Sequence, residues 1–238
     1  AQESRGLGDV YKRQPSKIVL HTQKKGQVID GFGIAQAGWA DELYLHHKRA
    51  EVMDKLFGEE GLRLSIMRGE VFPQWPTDST DDHAKRCAQL WLTRYAKEVC
   101  KVDKLIFSTW SPPAYMKSNQ NVSHGYLKQE YYQAFADYLV AFCKAYEESG
   151  LKLYAISPSN EPGYEAPWNS CKWTPQQMGT FLTEYLEPAI KKSCPDVRII
   201  YGENPSWSNP EHPKLQFLSS RKFVDEILAA HPTMDAHT

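Results

Sequence analysis

Apolar residues in this chain recur in two rhythms that take turns. Leu62–Met67, Leu105–Thr109, Leu153–Ser157 and Arg198–Tyr201 are short runs rich in apolar and β-branched side chains. Runs of about four to eight such residues, bounded by turn signals, suit buried strands. Between them lie longer stretches whose apolar residues return every three to four positions, the spacing of one helix face. That spacing predicts helices over His46–Glu60, Asp82–Val102, Lys128–Ser149 and Arg221–Ala230. The third has the clearest stripe, with Tyr131, Phe135, Tyr138, Leu139, Phe142 and Tyr146, and Gly150 stands as its C′ residue. A further helix opens at Thr174-Pro175-Gln176-Gln177: Thr174 suits the N-cap, Pro175 the first helical position, and Gln177 completes a capping box. Near the start, Ile18–His21 and Val28–Phe32 read as strands about the turn Lys24-Lys25-Gly26, and Met234–Ala236 begins one more.

Strand and helix alternate without a break, which implies a parallel sheet covered by helices, an α/β fold. No glycine-rich phosphate loop follows any strand, so an eight-fold (β/α)8 TIM barrel fits better than an open dinucleotide-binding sheet. On this reading the barrel occupies residues 28–238 and is truncated after the start of strand six. Residues 1–14 stand apart. Asp9-Val10-Tyr11-Lys12-Arg13-Gln14 is what the transposon end of a sequencing-library adapter encodes when translated, so this segment is expected to be adapter-derived.

Composition narrows the partners. A formal net charge of −1, with no run of five like charges, argues against nucleic acid and against an anionic membrane surface, both of which need a basic patch. No window approaches the roughly 18 apolar residues of a membrane span. The cysteines are Cys87, Cys100, Cys143, Cys171 and Cys194. Their odd number and wide spacing give no zinc pattern. Cys87, Cys100 and Cys143 are expected as buried thiols on apolar helix faces, with a disulfide open to Cys171 or Cys194.

In barrels of this kind, chemistry sits at the C-terminal ends of the strands. There the sequence places Gly31-Phe32-Gly33 and Trp39, then Arg68-Gly69-Glu70, then Trp110, then Asn160-Glu161-Pro162 with Tyr164 and Trp168, and finally Glu203-Asn204 with Trp207. Tryptophans offer flat faces to the C–H surfaces of sugar rings, while amides, carboxylates and an arginine can hold hydroxyls. Glycoside cleavage needs a carboxylic acid to protonate the leaving oxygen and a second carboxylate facing the oxocarbenium-like centre. Glu161 is the candidate acid. Asn160, Arg68, Trp110, Trp39, Tyr164 and Trp168 are the candidate sugar contacts. Glu70 and Glu203 are weaker candidates that read more readily as structural carboxylates, although Glu203, on the strand next to that of Glu161, could approach it as a nucleophile; Trp207 reads as a packing residue and Asn121-Val122-Ser123 as a chance glycosylation sequon. Among eight histidines only His237 falls at a strand end, which leaves a metal-dependent hydrolase weakly supported. No metal or other cofactor is expected. A non-catalytic sugar-binding barrel is the competing reading.

At these residues the chain resembles family 30 of the glycoside hydrolases. The resemblance is carried by Ile29-Asp30-Gly31-Phe32-Gly33, by Trp110-Ser111-Pro112-Pro113-Ala114-Tyr115-Met116-Lys117, by Leu153–Pro162, and by Trp168-Asn169-Ser170-Cys171-Lys172-Trp173-Thr174-Pro175. It implies a barrel joined to a small β-sandwich side domain, to which residues 15–27 would supply the first strand. It also implies a retaining mechanism, with Glu161 as general acid/base and a nucleophilic glutamate after a seventh strand that this chain does not reach. Arg68, Trp110 and Asn160 would contact the sugar at the cleavage site. Family members act on glucosylceramide, β-1,6-glucans, β-1,6-galactans and xylans. The Trp-Ser-Pro-Pro and Trp-Asn-Ser-Cys segments look most like the xylan-cleaving branch, whereas Gly33-Ile34-Ala35-Gln36 departs from the usual Gly-Gly after Phe. A secreted or periplasmic location follows from the resemblance.

Overall fold

The computed structural model describes residues 23–76, 80–207, 219–232 and 234, with the backbone alone for 80–85. Residues 1–14, the strand expected at Ile18–His21, His237 and all but Met234 of the last expected strand lie outside the described residues. The chain divides into two units, 1–30 and 31–238. In the first, residues 23–30 form a turn and then irregular chain in which Val28 and Ile29 are exposed.

The second unit contains five parallel strands in chain order: β1 (Gly33–Ala35), β2 (Ile66–Val71), β3 (Lys104–Thr109), β4 (Ala155–Ser157) and β5 (Arg198–Ile199). Helices between them are α1 (Ala40–Leu45), α2 (Arg49–Phe57), α3 (Thr80–Arg94), α4 (Tyr132–Glu148), α5 (Pro175–Phe181) and α6 (Glu187–Ser193), and α7 (Ser220–Ala230) follows β5. Wider π-type turns, Tyr95–Val99 and Leu182–Leu186, continue α3 and join α5 to α6.

The expected strand at Val28–Phe32 is corrected to Gly33–Ala35. Pairing with β2 starts where the chain can press closest: a Cβ on Gly33 would lie 2.5 Å from the Ile66 carbonyl. Phe32 joins only through its carbonyl, which accepts from the amides of Ser65 and Ile66. The expected strand at Leu62–Met67 is also displaced. The amides of Leu62 and Leu64 donate back to Lys55 and Leu56 of α2, and Arg63 adopts a left-handed φ of 52°. Residues 62–64 therefore finish the helix turn, and β2 begins at Ile66. The expected helix at His46–Glu60 is Arg49–Phe57, preceded by the short α1, which periodicity did not reveal.

Alternation along β2 sorts its side chains: Met67, Gly69 and Val71 are buried, whereas Ile66, Arg68 and Glu70 are half-buried on the opposite face. The first set, with Phe107, packs under the helices. Phe107 meets Phe142 and Tyr146 of α4 at centroid distances of 5.3 and 4.7 Å. α4 buries Phe135, Leu139, Phe142, Cys143 and Tyr146, the stripe its sequence spacing predicts. Gly150 takes a left-handed φ of 78° beyond its end, and the capping box at Thr174 and Gln177 is formed. All five cysteines are free thiols. Cys87 is exposed rather than buried, a correction, because the apolar face of α3 runs instead through Ala88 and Leu92.

β1 is too short to accompany the whole of β2, and the side chain of Gln89 on α3 takes over where it ends. Gln36 N donates to Arg68 O at 2.9 Å, and beyond it Gln89 accepts from Glu70 N at 2.6 Å and donates to Glu70 O at 2.9 Å. A Cβ at Gly69 would lie 2.4 Å from Phe107 Cε1 and 2.9 Å from Gln89 Oε1. Gly69→Ala should therefore cost about 1–3 kcal/mol by overpacking. A urea unfolding midpoint unchanged from that of the parent chain would show that the contact is slack.

Candidate active site

The polar face of β2 meets its counterparts on β3 and on the loops leaving β4 and β5. Arg68 is the hub. Its Nε donates to Ser108 Oγ at 3.0 Å and its Nη2 to Asn160 Oδ1 at 2.8 Å. The same Nη2 lies 3.2 Å from Glu203 Oε1, and the guanidinium carbon sits 4.6 Å from the Trp110 ring centroid. Ser108 Oγ in turn lies 3.3 and 3.1 Å from the two Glu203 oxygens. One planar cation thus fixes an amide, a hydroxyl, a carboxylate and an indole, which suits the rigid donor fork of arginine.

Backbone bonds carry the register past the strand ends. Asn160 N donates to Thr109 O at 2.7 Å, and Glu161 N donates to Glu203 O at 3.0 Å. Glu161 has a left-handed φ of 48°, a conformation uncommon outside glycine, and its carbonyl accepts from Tyr164 N at 2.9 Å. Asn204 Oδ1 accepts from Gly163 N at 2.8 Å. The turn bearing Glu161 is held from both sides.

Burial raises the pKa of Glu161 above the ordinary glutamate value. The positive charge of Arg68 and a hydrogen bond from Asn160 act in the lowering direction, and the negative charge of Glu203 adds to the rise. The carboxyl group is therefore biased toward its protonated form relative to an exposed glutamate.

Beside this cluster lies a cleft of about 620 Å³ lined by Gln36, Asp41, Glu70, Trp110, Trp168 and Asn169 among others. Trp110 belongs to both, with Arg68 on its ring and the cleft beside it. Trp168 is 54% exposed and meets Tyr164 edge-on at 6.4 Å. The structure thus brings Arg68, Asn160, Trp110 and Glu203 together and places Glu70 and Trp168 along the cleft. Trp39 is not brought there: it precedes α1, packs partly buried against the core, and donates its indole N–H to Ala35 O at 2.6 Å. Trp207 is exposed. Sequence reading missed Ser108 and Gln36. Ser108 was legible as the inward neighbour of outward Phe107, two positions before Trp110. Gln36 carried no signal, because its burial depends on Thr93 of α3, whose Oγ1 accepts from it at 3.0 Å. Among the described residues no group of His, Cys, Asp and Glu could hold a metal ion.

This polar, tryptophan-walled rim at the ends of parallel strands is the setting in which the family can be named. Residues 57–211 match the model of O-glycosyl hydrolase family 30, and the chain belongs to that family. It is 30% identical over 185 residues to glucuronoxylanase XynC of Bacillus subtilis, covering 75% of this chain and 40% of that protein. It is 31% identical over 152 residues to the lysosomal acid glucosylceramidase of Mus musculus, covering 55% of this chain and 29% of that one. A solved glycoside hydrolase family 30 subfamily 8 xylanase from Clostridium acetobutylicum superposes with a TM-score of 0.61 at 29% identity, over 76% of this chain and 43% of its own. The chain spans less than half the length of each of these relatives.

Because the folded-state pKa of Glu161 is raised, its ionisation opposes folding. Its penalty is absent below the ordinary glutamate range and grows as pH rises from there through the elevated value. Glu161→Gln should therefore leave the chain at least as stable as the parent at neutral pH, with the two converging in acid. Removing the positive charge in Arg68→Leu should raise the Glu161 pKa further. A carboxyl carbon NMR titration reads both, and an unchanged or lowered midpoint in Arg68→Leu would contradict the assigned electrostatics.

Proposed function

We propose that this chain is part of a retaining O-glycoside hydrolase that cleaves a β-linked polysaccharide, xylan above others, with Glu161 as the general acid/base. The observation that carries the reading is the state of Glu161. It is a carboxyl group held in a fixed turn at the end of β4, raised in pKa by burial, beside an Arg68–Asn160 pair and a tryptophan-lined cleft. Protonated, it can deliver a proton to the leaving oxygen; once that proton has left, the same group can take one from water.

The five strands in chain order are read as consecutive staves of a (β/α)8 barrel, with Arg68 and Ser108 facing its interior. Retaining enzymes need a second carboxylate about 5–5.5 Å from the first. Glu203 is poorly suited to attack, since Arg68 and Ser108 both hold its carboxylate. The nucleophile is instead assigned to a glutamate after the seventh strand, beyond residue 238. Arg68 and Asn160 then serve a sugar hydroxyl, and Trp110 and Trp168 the sugar faces. Export to the polysaccharide outside the cell goes with this reading, and no described helix is long and apolar enough to cross a membrane.

One observation favours uncharged substrates. Asp41, Glu42 and Glu70 line the cleft, and no lysine or arginine is among its described lining residues. A glucuronate side group placed there would meet like charge. Unsubstituted xylan or a neutral β-glucan therefore suits this part of the cleft better than an acid-decorated chain.

Reducing-sugar release tests the reading. The 238-residue chain should show no turnover on xylan, and clear hydrolysis by it would refute the assignment of the nucleophile. In the longer protein, Glu161→Gln should slow xylan cleavage by about 10²–10⁴-fold. Activated aryl xylosides, whose acidic phenol leaving groups depart without protonation, should lose far less. Equal losses on both would remove Glu161 from the acid role.

A further inference from the structure

Lys117 is buried completely, with 0% of its surface exposed, although lysine is among the side chains least often enclosed. Its ammonium donates to Ser111 Oγ at 3.0 Å, to the Val122 carbonyl at 3.1 Å and to the Ser170 carbonyl. All three are neutral oxygens. Burial lowers its pKa from the ordinary lysine value, with the influence of Cys171 and of the Glu165 carboxylate acting the other way. A methionine would fill the same volume without the desolvation penalty of an ammonium, so space-filling alone does not account for this group.

The three acceptors come from two segments. Ser111 and Val122 belong to the segment between β3 and α4, and Ser170 to the segment between β4 and α5. The seam continues through Ser170 N to Val122 O and Lys172 N to Gly125 O, both 2.9 Å, through His124 N to Ser170 Oγ at 2.9 Å, and through a bridge between Ser123 and Asn169. Trp168 and Asn169, which line the cleft, immediately precede Ser170. Trp168 is more than half exposed, with Tyr164 edge-on to its ring at 6.4 Å.

We propose that Lys117 is a positioning residue for the sugar-facing wall: by clamping the two segments at Ser111, Val122 and Ser170, its ammonium sets Trp168 and Asn169 against the cleft. The proposal rests on the glycan-binding reading only for its effect on affinity; the clamp itself is tested without a sugar.

The chain, Lys117→Met and Ser111→Ala are compared by amide hydrogen exchange and by acrylamide quenching of Trp168, the latter isolated by difference against Trp168→Phe. Each is then titrated with xylohexaose. In Lys117→Met, exchange in residues 164–172 should quicken about tenfold or more while α4 stays protected, Trp168 should become more quenchable, and the Kd should weaken by about tenfold. Ser111→Ala removes one acceptor and should move all three readouts the same way by less. Unchanged exchange and quenching around Trp168 would overturn the proposal. So would a Kd kept within about twofold while Trp168→Phe weakens it, since Lys117 would then be structural only. If Lys117→Met loses protection in α4 it has unfolded, and Ser111→Ala decides by the same criteria. If the unaltered chain binds no xylohexaose, the glycan reading fails, and exchange and quenching alone decide whether Lys117 holds Trp168.

Discussion

A single guanidinium organises the functional face of this fold. Arg68 rises from the middle of β2 and binds Ser108 of β3, Asn160 after β4 and Glu203 after β5, while stacking on Trp110. Parallel strands that touch only their neighbours are thereby linked from β2 to the loop after β5. The arrangement takes a cation and a carboxylate partly out of water, so each depends on its partners: an ion pair that has lost one member leaves the other stranded. It also fixes the environment of Glu161, since Arg68, Asn160 and Glu203 are the groups that modulate its proton affinity after burial itself.

The opposite face of the sheet makes this precision affordable in structural terms. Phe107, Phe142 and Tyr146 interlock beneath β3, and burial drives the Tyr146 hydroxyl up to about 12, so that it stays neutral and pairs with Gln89 at 3.3 Å. Gln89 then completes the backbone pairing of Glu70. A helix side chain thus stands in for missing strand, and the aromatic core and the polar rim are joined through one amide. Dense packing of this kind transmits displacement poorly tolerated by either face.

How much of this could be read from the residues depends on how local the cause was. The stripe on α4, the capping box at Thr174 and the strand over β3 were legible because periodicity and caps are properties of neighbouring residues. The starts of β1 and β2 were not. They depend on how closely Gly33 approaches Ile66 and on residues 62–64 turning back to α2, contacts between segments far apart or in an unusual backbone region. That Arg68, Asn160 and Trp110 would gather at the strand ends, with Trp168 along the neighbouring cleft, was legible from residue type and position. Where Trp39 points was not legible, because its indole finds a backbone carbonyl four residues away, and an aromatic near a strand end looks the same in sequence whether it faces a ligand or the core. Lys117 stood within the Trp110–Lys117 run, but its burial was not legible, because one of its acceptors, the Ser170 carbonyl, comes from a distant segment.

The left-handed backbone at Glu161 has an evolutionary corollary. Side chains seldom adopt that region unless they are glycine, asparagine or aspartate, so the fold holds Glu161 there against its own preference. Replacement by glycine or asparagine would relax the turn while removing its carboxyl group. On the proposed function, the backbone at this position therefore favours residues without an acid, so loss of the carboxyl group would leave the shape of the turn intact.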